Sequence, residues 1–190
     1  NNKHIFYLNQ EIGKLKLFWG DVNDAIYIFK SQLNILSKKN DFGIKSELSA
    51  LYNLANAYII AKKQDSSSYY NRIGLKISIR ENSEYYPYFL SQSGEVLFHL
   101  GKYNRAKDSL LKSLKVYNNK DYSFENTYNL LGQIEFNLNN VSSSFQYFKK
   151  ADSIVDIFKD YTPETRFIHN FLRDYYLKNG DTKNFEIYDA

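Results

Sequence analysis

Apolar residues recur three and four positions apart along most of this chain, with polar residues between them. Leu51, Leu54 and Tyr58 show this spacing, and Ala106 and Leu110 repeat it further along. Such spacing predicts amphipathic α-helices. Only two prolines occur and the eight glycines are scattered, which also favours helices over a turn-rich β fold.

A small residue recurs within these apolar segments, and a turn-forming residue follows it after seven positions. The small residues are Gly13, Ala55, Gly94 and Gly132, with Arg173 in the same slot of a fifth copy. The turn residues are Gly20, Lys62, Gly101, Asn139 and Gly180. Successive copies are 42, 39, 38 and 41 residues apart, while the internal step is constant. This combination predicts a repeated helix–turn–helix unit with connections of variable length.

The repeat predicts a single array of four complete units and one partial unit. Their approximate limits are 4–40, 42–82, 84–119, 121–160 and, for the partial unit, 162–190. Glycine and asparagine at the turns suit the end of a first helix. Asp21 and Asp65 are candidates to cap the second helices that follow.

The glycines inside the first helices need a structural reason, because glycine costs a helix about 1 kcal/mol relative to alanine. Two helices joined by a short turn lie nearly antiparallel and leave little room where they touch. We therefore predict that the small residue of each first helix meets a small residue of the second. The eight predicted packing residues are Gly13, Ala25, Ala55, Ser67, Gly94, Ala106, Gly132 and Ser144.

This pattern resembles the tetratricopeptide repeat (TPR) family across nearly the whole chain. The resemblance rests on Leu54, Ala55 and Tyr58 in a first helix, on GKYNRA at 101–106, and on the later Leu110 and Leu114. It implies an all-α fold, a right-handed TPR-like α–α superhelix built as a solenoid of antiparallel helix pairs. The period exceeds the usual 34 residues, which implies helices lengthened by about one turn per unit.

The resemblance also implies a ligand face, because first helices in the TPR family line a concave groove that holds a peptide. The matching residues are Tyr7, Gln10, Lys14, Tyr52, Asn56, Tyr88, Ser91, Glu95, Asn129 and Gln133. Asparagine and glutamine amides can each hold one peptide unit through a donor and an acceptor. Asparagine and tyrosine are abundant throughout the chain, so composition alone could also explain their presence on this face.

Chaperone-binding relatives carry basic residues on the same face. Gln10, Ser91 and Gln92 stand at positions where such residues would be sought. The sequence therefore disfavours a chaperone adaptor.

The sequence predicts no catalytic residues, no metal site and no cofactor. The absence of cysteine excludes disulfides, thiolate catalysis and cysteine-based zinc sites. His4, His99 and His169 fall in different units without the spacing of metal ligands. The segment from Gly94 to Lys102 is not a phosphate loop, since six residues separate its glycines and no Ser or Thr follows the lysine. The prediction is that this protein is not an enzyme.

Charge and hydropathy limit the possible partners. The net charge of +4 is mild and the basic residues are dispersed, which argues against a dedicated nucleic-acid binder. The aromatic content of 17% leaves single-stranded RNA as a less favoured alternative, because most aromatics fall at core positions of the repeat. No apolar run approaches the ~18 residues that span a bilayer, so we expect no membrane insertion by this segment.

The expected function is a non-enzymatic scaffold that binds a peptide or a protein. The segment 148–189 resembles the last repeats of bacterial regulators in which a TPR array precedes a helix-turn-helix DNA-binding domain, often of AraC type. That resemblance implies a signal-sensing region, with DNA contacted only through a domain outside these residues. The chain contains no methionine, so we expect it to be part of a longer protein. A structural adaptor in a multiprotein assembly is the alternative, and the oligomeric state and the compartment, bacterial cytoplasm or periplasm, stay open.

Overall fold

The computed structural model describes residues 2–38, 42–117, 124–158 and 163–189. Over these ranges the chain forms ten α-helices and no β-strand, which confirms the predicted all-α fold class. The helices are α1 (Asn2–Phe18), α2 (Val22–Lys38), α3 (Ile44–Ile60), α4 (Gln64–Arg80), α5 (Tyr86–His99), α6 (Tyr103–Tyr117), α7 (Glu125–Asn137), α8 (Val141–Phe158), α9 (Pro163–Lys178) and α10 (Thr182–Asp189). Odd-numbered helices are the first helices of the predicted units and even-numbered helices are the second helices.

The turns after the first helices have the predicted chemistry. Each of the five predicted turn residues has a positive φ: Gly20, Lys62, Gly101, Asn139 and Gly180. In the first of these turns the Gly20 amide donates to the Leu17 carbonyl and the Asp21 amide donates to the Lys16 carbonyl. This pair of bonds satisfies carbonyls that the helix end would leave free, and it reverses the chain within three residues.

One predicted cap is wrong. Asp65 does not precede α4 but lies in its first turn, and the capping position is occupied by Lys63, which makes no side-chain capping bond. Asp65 still carries a negative charge near the positive end of the helix dipole, which is a weaker contribution than a cap. Asp21 does precede α2, and its carboxylate accepts a hydrogen bond from Lys16 Nζ at 2.9 Å.

The structure divides into two compact units, Asn1–Lys102 and Tyr103–Ala190. The core of the first unit joins α2 to α3 through Ala25, Ile26, Phe29, Leu54, Ala57 and Tyr58. A neighbouring cluster of Leu48, Leu51 and Phe89 joins α3 to α5. The core of the second unit joins α8 to α9 through Phe148, Ala151, Ile168, Leu172 and Tyr176.

All eight predicted packing residues are buried, but the space at the glycines is filled mainly by aromatic rings. A Cβ added at Gly13 would stand 2.6 Å from the ring of Phe29, and one at Gly132 would stand 2.6 Å from the ring of Phe148. The small partner Ser144 also touches Gly132, because its hydroxyl donates to the Gly132 carbonyl at 2.8 Å. In α1 and α7 the glycine thus stands where a phenylalanine of the following helix lies against the backbone.

Gly74 is a close approach that the repeat pattern did not single out. A Cβ at this position in α4 would stand 2.1 Å from the ring of Phe89 in α5. This contact joins the second helix of one predicted unit to the first helix of the next. Glycine therefore lets an aromatic ring pack against the backbone between neighbouring units as well as within one unit.

Candidate functional site

A ladder of polar side chains joins α1 to α3 in the first unit. The hydroxyl groups of Tyr7 and Ser46 are 3.2 Å apart, and the Gln10 amide donates to the hydroxyl of Ser49. Both rungs join residues 39 positions apart, so the same register places Lys14 beside Asn53. Lys14 instead bonds Glu11 on its own helix, at 2.9 Å.

The third rung of this ladder leaves a buried donor unused. The side chain of Asn53 is only 8% exposed, and its amide nitrogen makes no hydrogen bond. Asn53 lies on the face of α3 that also carries Ser46 and Ser49, since these positions are three, four and seven residues apart. An unused buried donor costs about 1–3 kcal/mol, and this nitrogen is itself closed to solvent, so Asn53 is a weak point of the α1–α3 packing and not part of the accessible surface.

Aromatic and amide groups join α3 to α5 on the next part of the same unit. Gln92 donates to the Tyr52 carbonyl at 3.1 Å, and the rings of Tyr52 and Tyr88 meet edge to face with centroids 6.2 Å apart. Burial raises the pKa of the Tyr52 hydroxyl, and the charge of Glu95 raises it further. Tyr52 therefore stays protonated at neutral pH, as a hydrogen-bond donor with an apolar ring.

The positions of Gln92 and Gln10 show that both are structural. Gln92 is buried, and its carbonyl oxygen accepts a bond from Asn71 at 2.9 Å. Asn71 is buried in turn and accepts a bond from Ser93 at 2.7 Å. Gln10 is buried within the α1–α3 ladder. These amides hold the first helices side by side, and neither offers a free surface.

We call the exposed and half-exposed part of this surface the α1–α3–α5 face. It carries seven of the residues that the sequence predicted for a groove and that remain accessible: Tyr7, Lys14, Tyr52, Asn56, Tyr88, Ser91 and Glu95. Sequence reasoning missed Asn53, Ser46 and Ser49, because their role depends on the register between two helices. The sequence feature that could have revealed them is their spacing of three and four residues, which places them on one face of α3.

The second unit carries the two remaining predicted residues on α7. Asn129 is buried, and its carbonyl oxygen accepts a bond from Gln133 at 3.0 Å, while its amide nitrogen makes none. Gln133 is half-buried. One turn beyond it the exposed ring of Phe136 meets Phe171 of α9 edge to face, at 5.7 Å between centroids.

A buried acidic group in the second unit binds the last helix. Asp152 accepts a bond of 2.5 Å from the Tyr188 hydroxyl and lies 3.1 Å from His169 Nε2. Lys149 donates to the same hydroxyl at 3.0 Å. Burial and the bond to Asp152 raise the pKa of Tyr188 to about 12. Burial alone would lower the pKa of Lys149, but the bond to Tyr188 more than reverses this. Neither group can exchange protons readily at neutral pH, so the cluster anchors α10 and is a poor acid–base pair.

The three histidines lie on three different helices. His4 and His99 are surface residues of α1 and α5. Partial burial of the His99 ring lowers its pKa, and the charge of Lys62 adds to the effect. His169 lies in the second unit beside Asp152. Among the described residues no group of three metal-binding side chains occurs, and no helix there is long and apolar enough to cross a membrane.

Comparison with known proteins identifies the fold. No protein-family model matches the sequence, and no curated protein matches it significantly. A solved structure of TPR-like repeats from a Podosopora anserina kinesin light chain is similar, with a TM-score of 0.67 and 13% identity, over 99% of this chain and 92% of the other. The resemblance to TPR proteins is thus confirmed at the level of fold, as an all-α repeat solenoid.

Two further similar structures come from larger regulatory proteins. The Rap conjugation gene regulator of plasmid pLS20, solved with the Phr* peptide, has a TM-score of 0.75 and 15% identity over 96% of this chain and 51% of the other. A Pyrococcus horikoshii signal transduction ATPase with a tetratricopeptide repeat sensor has a TM-score of 0.71 and 16% identity, over 96% of this chain and 28% of the other. This chain therefore spans about half of the first protein and less than a third of the second.

Proposed function

We propose that this protein is a non-enzymatic scaffold that binds an extended segment of a peptide or protein on the α1–α3–α5 face. The supporting observation is that polar and aromatic side chains from three neighbouring first helices remain accessible on this one face: Tyr7, Lys14, Tyr52, Asn56, Tyr88, Ser91 and Glu95. The half-exposed amide of Asn56 offers both a donor and an acceptor to one peptide unit. Half-exposed Tyr88 offers apolar area with a polar tip, and half-exposed Tyr52 adds apolar ring area, at little cost in side-chain entropy.

Two of the solved structures with a similar fold support this proposal. One of them was solved with a bound peptide, and another carries its repeats as a sensor. We propose further that the array is the signal-sensing region of a larger bacterial transcriptional regulator. In that arrangement DNA is contacted by a domain outside these 190 residues. A structural adaptor within an assembly is the second candidate, and it would use the same fold without a soluble signal.

The binding face can be tested with peptides selected against the wild-type protein from a random library. Asn56→Ala should weaken binding about tenfold, which corresponds to about 1.4 kcal/mol. Asn34→Ala is the matched control, since Asn34 is an exposed asparagine of the second helix α2. Equal affinity of the wild type and Asn56→Ala, measured by calorimetry, would remove the α1–α3–α5 face from consideration.

The regulatory role has a separate test. The gene that encodes the longer protein should specify a helix-turn-helix domain beyond residue 190, with or without a membrane span between them. A gene without any DNA-binding domain would favour the adaptor, and it would leave peptide binding by this face unaffected.

A further inference from the structure

Three tyrosines and a phenylalanine form one aromatic cluster where α5 begins against α3. The ring centroids of Tyr52 and Tyr88 are 6.2 Å apart, and those of Tyr85 and Tyr88 are 6.1 Å apart. Phe89 is fully buried, and its ring lies 5.9 Å from that of Tyr52 and 6.4 Å from that of Tyr85. The buried ring thus supports three tyrosines that are themselves half-exposed.

A carboxylate belongs to the same part of the α1–α3–α5 face. Glu95 follows Tyr88 by seven residues, so two helical turns place both on one side of α5. Burial raises the pKa of the Tyr52 hydroxyl, and the nearby charge of Glu95 raises it further, as do Tyr88 and Tyr85. Gln92 fixes the two helices in this register by donating to the Tyr52 carbonyl at 3.1 Å. Three phenol oxygens and one carboxylate therefore share one region of the face.

Two basic side chains near this region already have carboxylate partners. Lys14 lies 2.9 Å from Glu11, and Lys45 lies 2.8 Å from Glu84. Each of these pairs is locally neutral, so the carboxylate of Glu95 adds a negative charge that neither lysine balances.

His99 does not supply a positive charge to this region at neutral pH. It follows Glu95 by four residues, which is one turn along α5. Partial burial lowers the pKa of His99, and the charge of Lys62 lowers it further, so the ring is uncharged at pH 7. Lys62 itself is exposed, and solvent screens its charge. A cation brought by a ligand would therefore be attracted to this region.

We propose that the Tyr52–Tyr88–Glu95 region binds a lysine or arginine side chain of the bound peptide, an inference that rests on the proposed function. The apolar stem of that side chain lies along the half-exposed tyrosine rings, and its charged group lies beside the carboxylate. The face of an aromatic ring attracts a cation, and the carboxylate accepts charge-assisted hydrogen bonds from it. The α1–α3–α5 face thus prefers a basic peptide to an acidic one.

Peptides selected against the wild-type protein from a random library measure this preference directly. They should share a lysine or an arginine at one position of their common motif. Replacing that residue of a selected peptide by glutamine should weaken binding about tenfold in calorimetry. Replacing it by glutamate should weaken binding further, because two carboxylates would then lie side by side.

Glu95→Gln tests whether the basic residue is bound at the proposed place. This variant should bind the selected peptide about tenfold more weakly, and it should lose much less affinity for the peptide that carries glutamine instead of the basic residue. Glu81→Gln is the matched control, because Glu81 is an exposed glutamate that follows the second helix α4 and pairs with Arg80. Its replacement should leave both affinities unchanged.

Substitutions of Tyr88 test the contribution of the aromatic ring. Tyr88→Leu keeps an apolar side chain but removes the ring, so it should weaken binding of the basic peptide about threefold. Tyr88→Phe should weaken it less, because the ring remains. Circular dichroism melts of every variant show whether its helices are intact.

Three results would overturn the proposal. One is a set of selected peptides without a shared basic residue, whose binding depends on Asn56 and not on Glu95; this outcome would leave the proposed function intact. Another is an equal loss for both peptides in Glu95→Gln, which would place the basic residue elsewhere. The third is a library that yields no binding peptide, which would overturn the proposed function as well.

Discussion

Lys62 holds a backbone conformation that glycine holds at three of the equivalent turns. Its φ is 56°, while Gly20, Gly101 and Gly180 have φ values of 84°, 70° and 72°. A left-handed conformation costs a residue with a Cβ roughly 1–2 kcal/mol. Lys62 is exposed, and its amide makes the turn bond to the Ile59 carbonyl that glycine would make equally well.

Lys62→Gly should therefore stabilise the protein, by about 0.5–1 kcal/mol once the greater freedom of glycine in the unfolded chain is subtracted. Urea unfolding followed by circular dichroism measures the change. Gly20→Ala is the reciprocal control, and it should destabilise by about 1 kcal/mol. A lower midpoint for Lys62→Gly would show that the lysine side chain contributes more than its backbone strain costs.

Gly132 illustrates how tertiary packing reverses a local preference. In an exposed helix, glycine to alanine gains about 1 kcal/mol. Here the added methyl group would stand 2.6 Å from the buried ring of Phe148. Gly132→Ala should therefore destabilise by about 1–3 kcal/mol through overpacking.

A double-mutant cycle separates this clash from other effects of the substitution. Phe148→Leu removes the ring and should itself destabilise, but Gly132→Ala should cost clearly less in that background than alone. Strict additivity of the two changes in thermal unfolding would contradict a contact between the Gly132 backbone and the ring.

At the scale of elements, a buried ion pair joins α6 to α7. Lys107 lies 2.5 Å from Glu135, whose side chain is 2% exposed, and Asn140 donates to the other carboxylate oxygen at 2.8 Å. Burial by itself would raise the pKa of Glu135, but the bonds from Lys107 and Asn140 outweigh it and hold the pKa below its ordinary value. The folded state thus favours the charged carboxylate.

Lys107→Met should destabilise the protein by about 3 kcal/mol at pH 7, because it leaves a buried carboxylate without its counter-charge. Glu135→Gln should cost less, since Lys107 is 34% exposed and can turn to solvent. Chemical unfolding of both variants measures the difference. A larger loss for Glu135→Gln would mean that the lysine, rather than the carboxylate, is the group that depends on the pair.

The difference in stability between the wild-type protein and Lys107→Met should also depend on pH. A carboxyl group whose folded pKa lies below its unfolded pKa stabilises fully above the unfolded value and loses that contribution as the pH falls through the folded value. In Lys107→Met only the hydrogen bond from Asn140 opposes the effect of burial, so the pKa of Glu135 in the folded variant should be higher than in the wild type. The deficit of this variant relative to wild type should therefore shrink between pH 7 and pH 4.

At the scale of the whole molecule, the salt dependence of the binding affinity distinguishes a peptide scaffold with dispersed charge from an RNA binder. The net charge is +4, with 25 basic and 21 acidic residues. A ligand held by amides and tyrosines releases few counterions. We expect the affinity for a selected peptide to change less than about threefold between 50 and 200 mM salt, whereas a binder that contacts many phosphates loses about 10³ or more.

Single-stranded oligouridine provides the comparison in the same titration, and no binding is expected at 150 mM salt. Tight, strongly salt-dependent binding of that oligonucleotide would favour the RNA alternative over the peptide scaffold. A peptide affinity that fell steeply with salt would show that charge, rather than the Asn56 amide and the tyrosines, dominates recognition.

The candidate site was predicted only in part, and the reason is the register between helices. Tyr7, Tyr52 and Tyr88 could be placed on one face because each occupies a fixed slot of its own helix. Gln10 and Asn129 occupy the matching slots and are nevertheless buried. Asn53 was missed because its unused donor depends on how far α1 and α3 slide past each other.

The sequence by itself determined the helices, their pairing and the turns between them. Helical periodicity and a left-handed residue after each first helix are local properties, fixed within about eight residues. The tertiary structure alone decided which rings fill the space at Gly13, Gly74 and Gly132, and which amides are satisfied. Those outcomes depend on side chains many positions apart in the chain, whose meeting is set by packing, because close-packed neighbours leave room for one arrangement and exclude the rest.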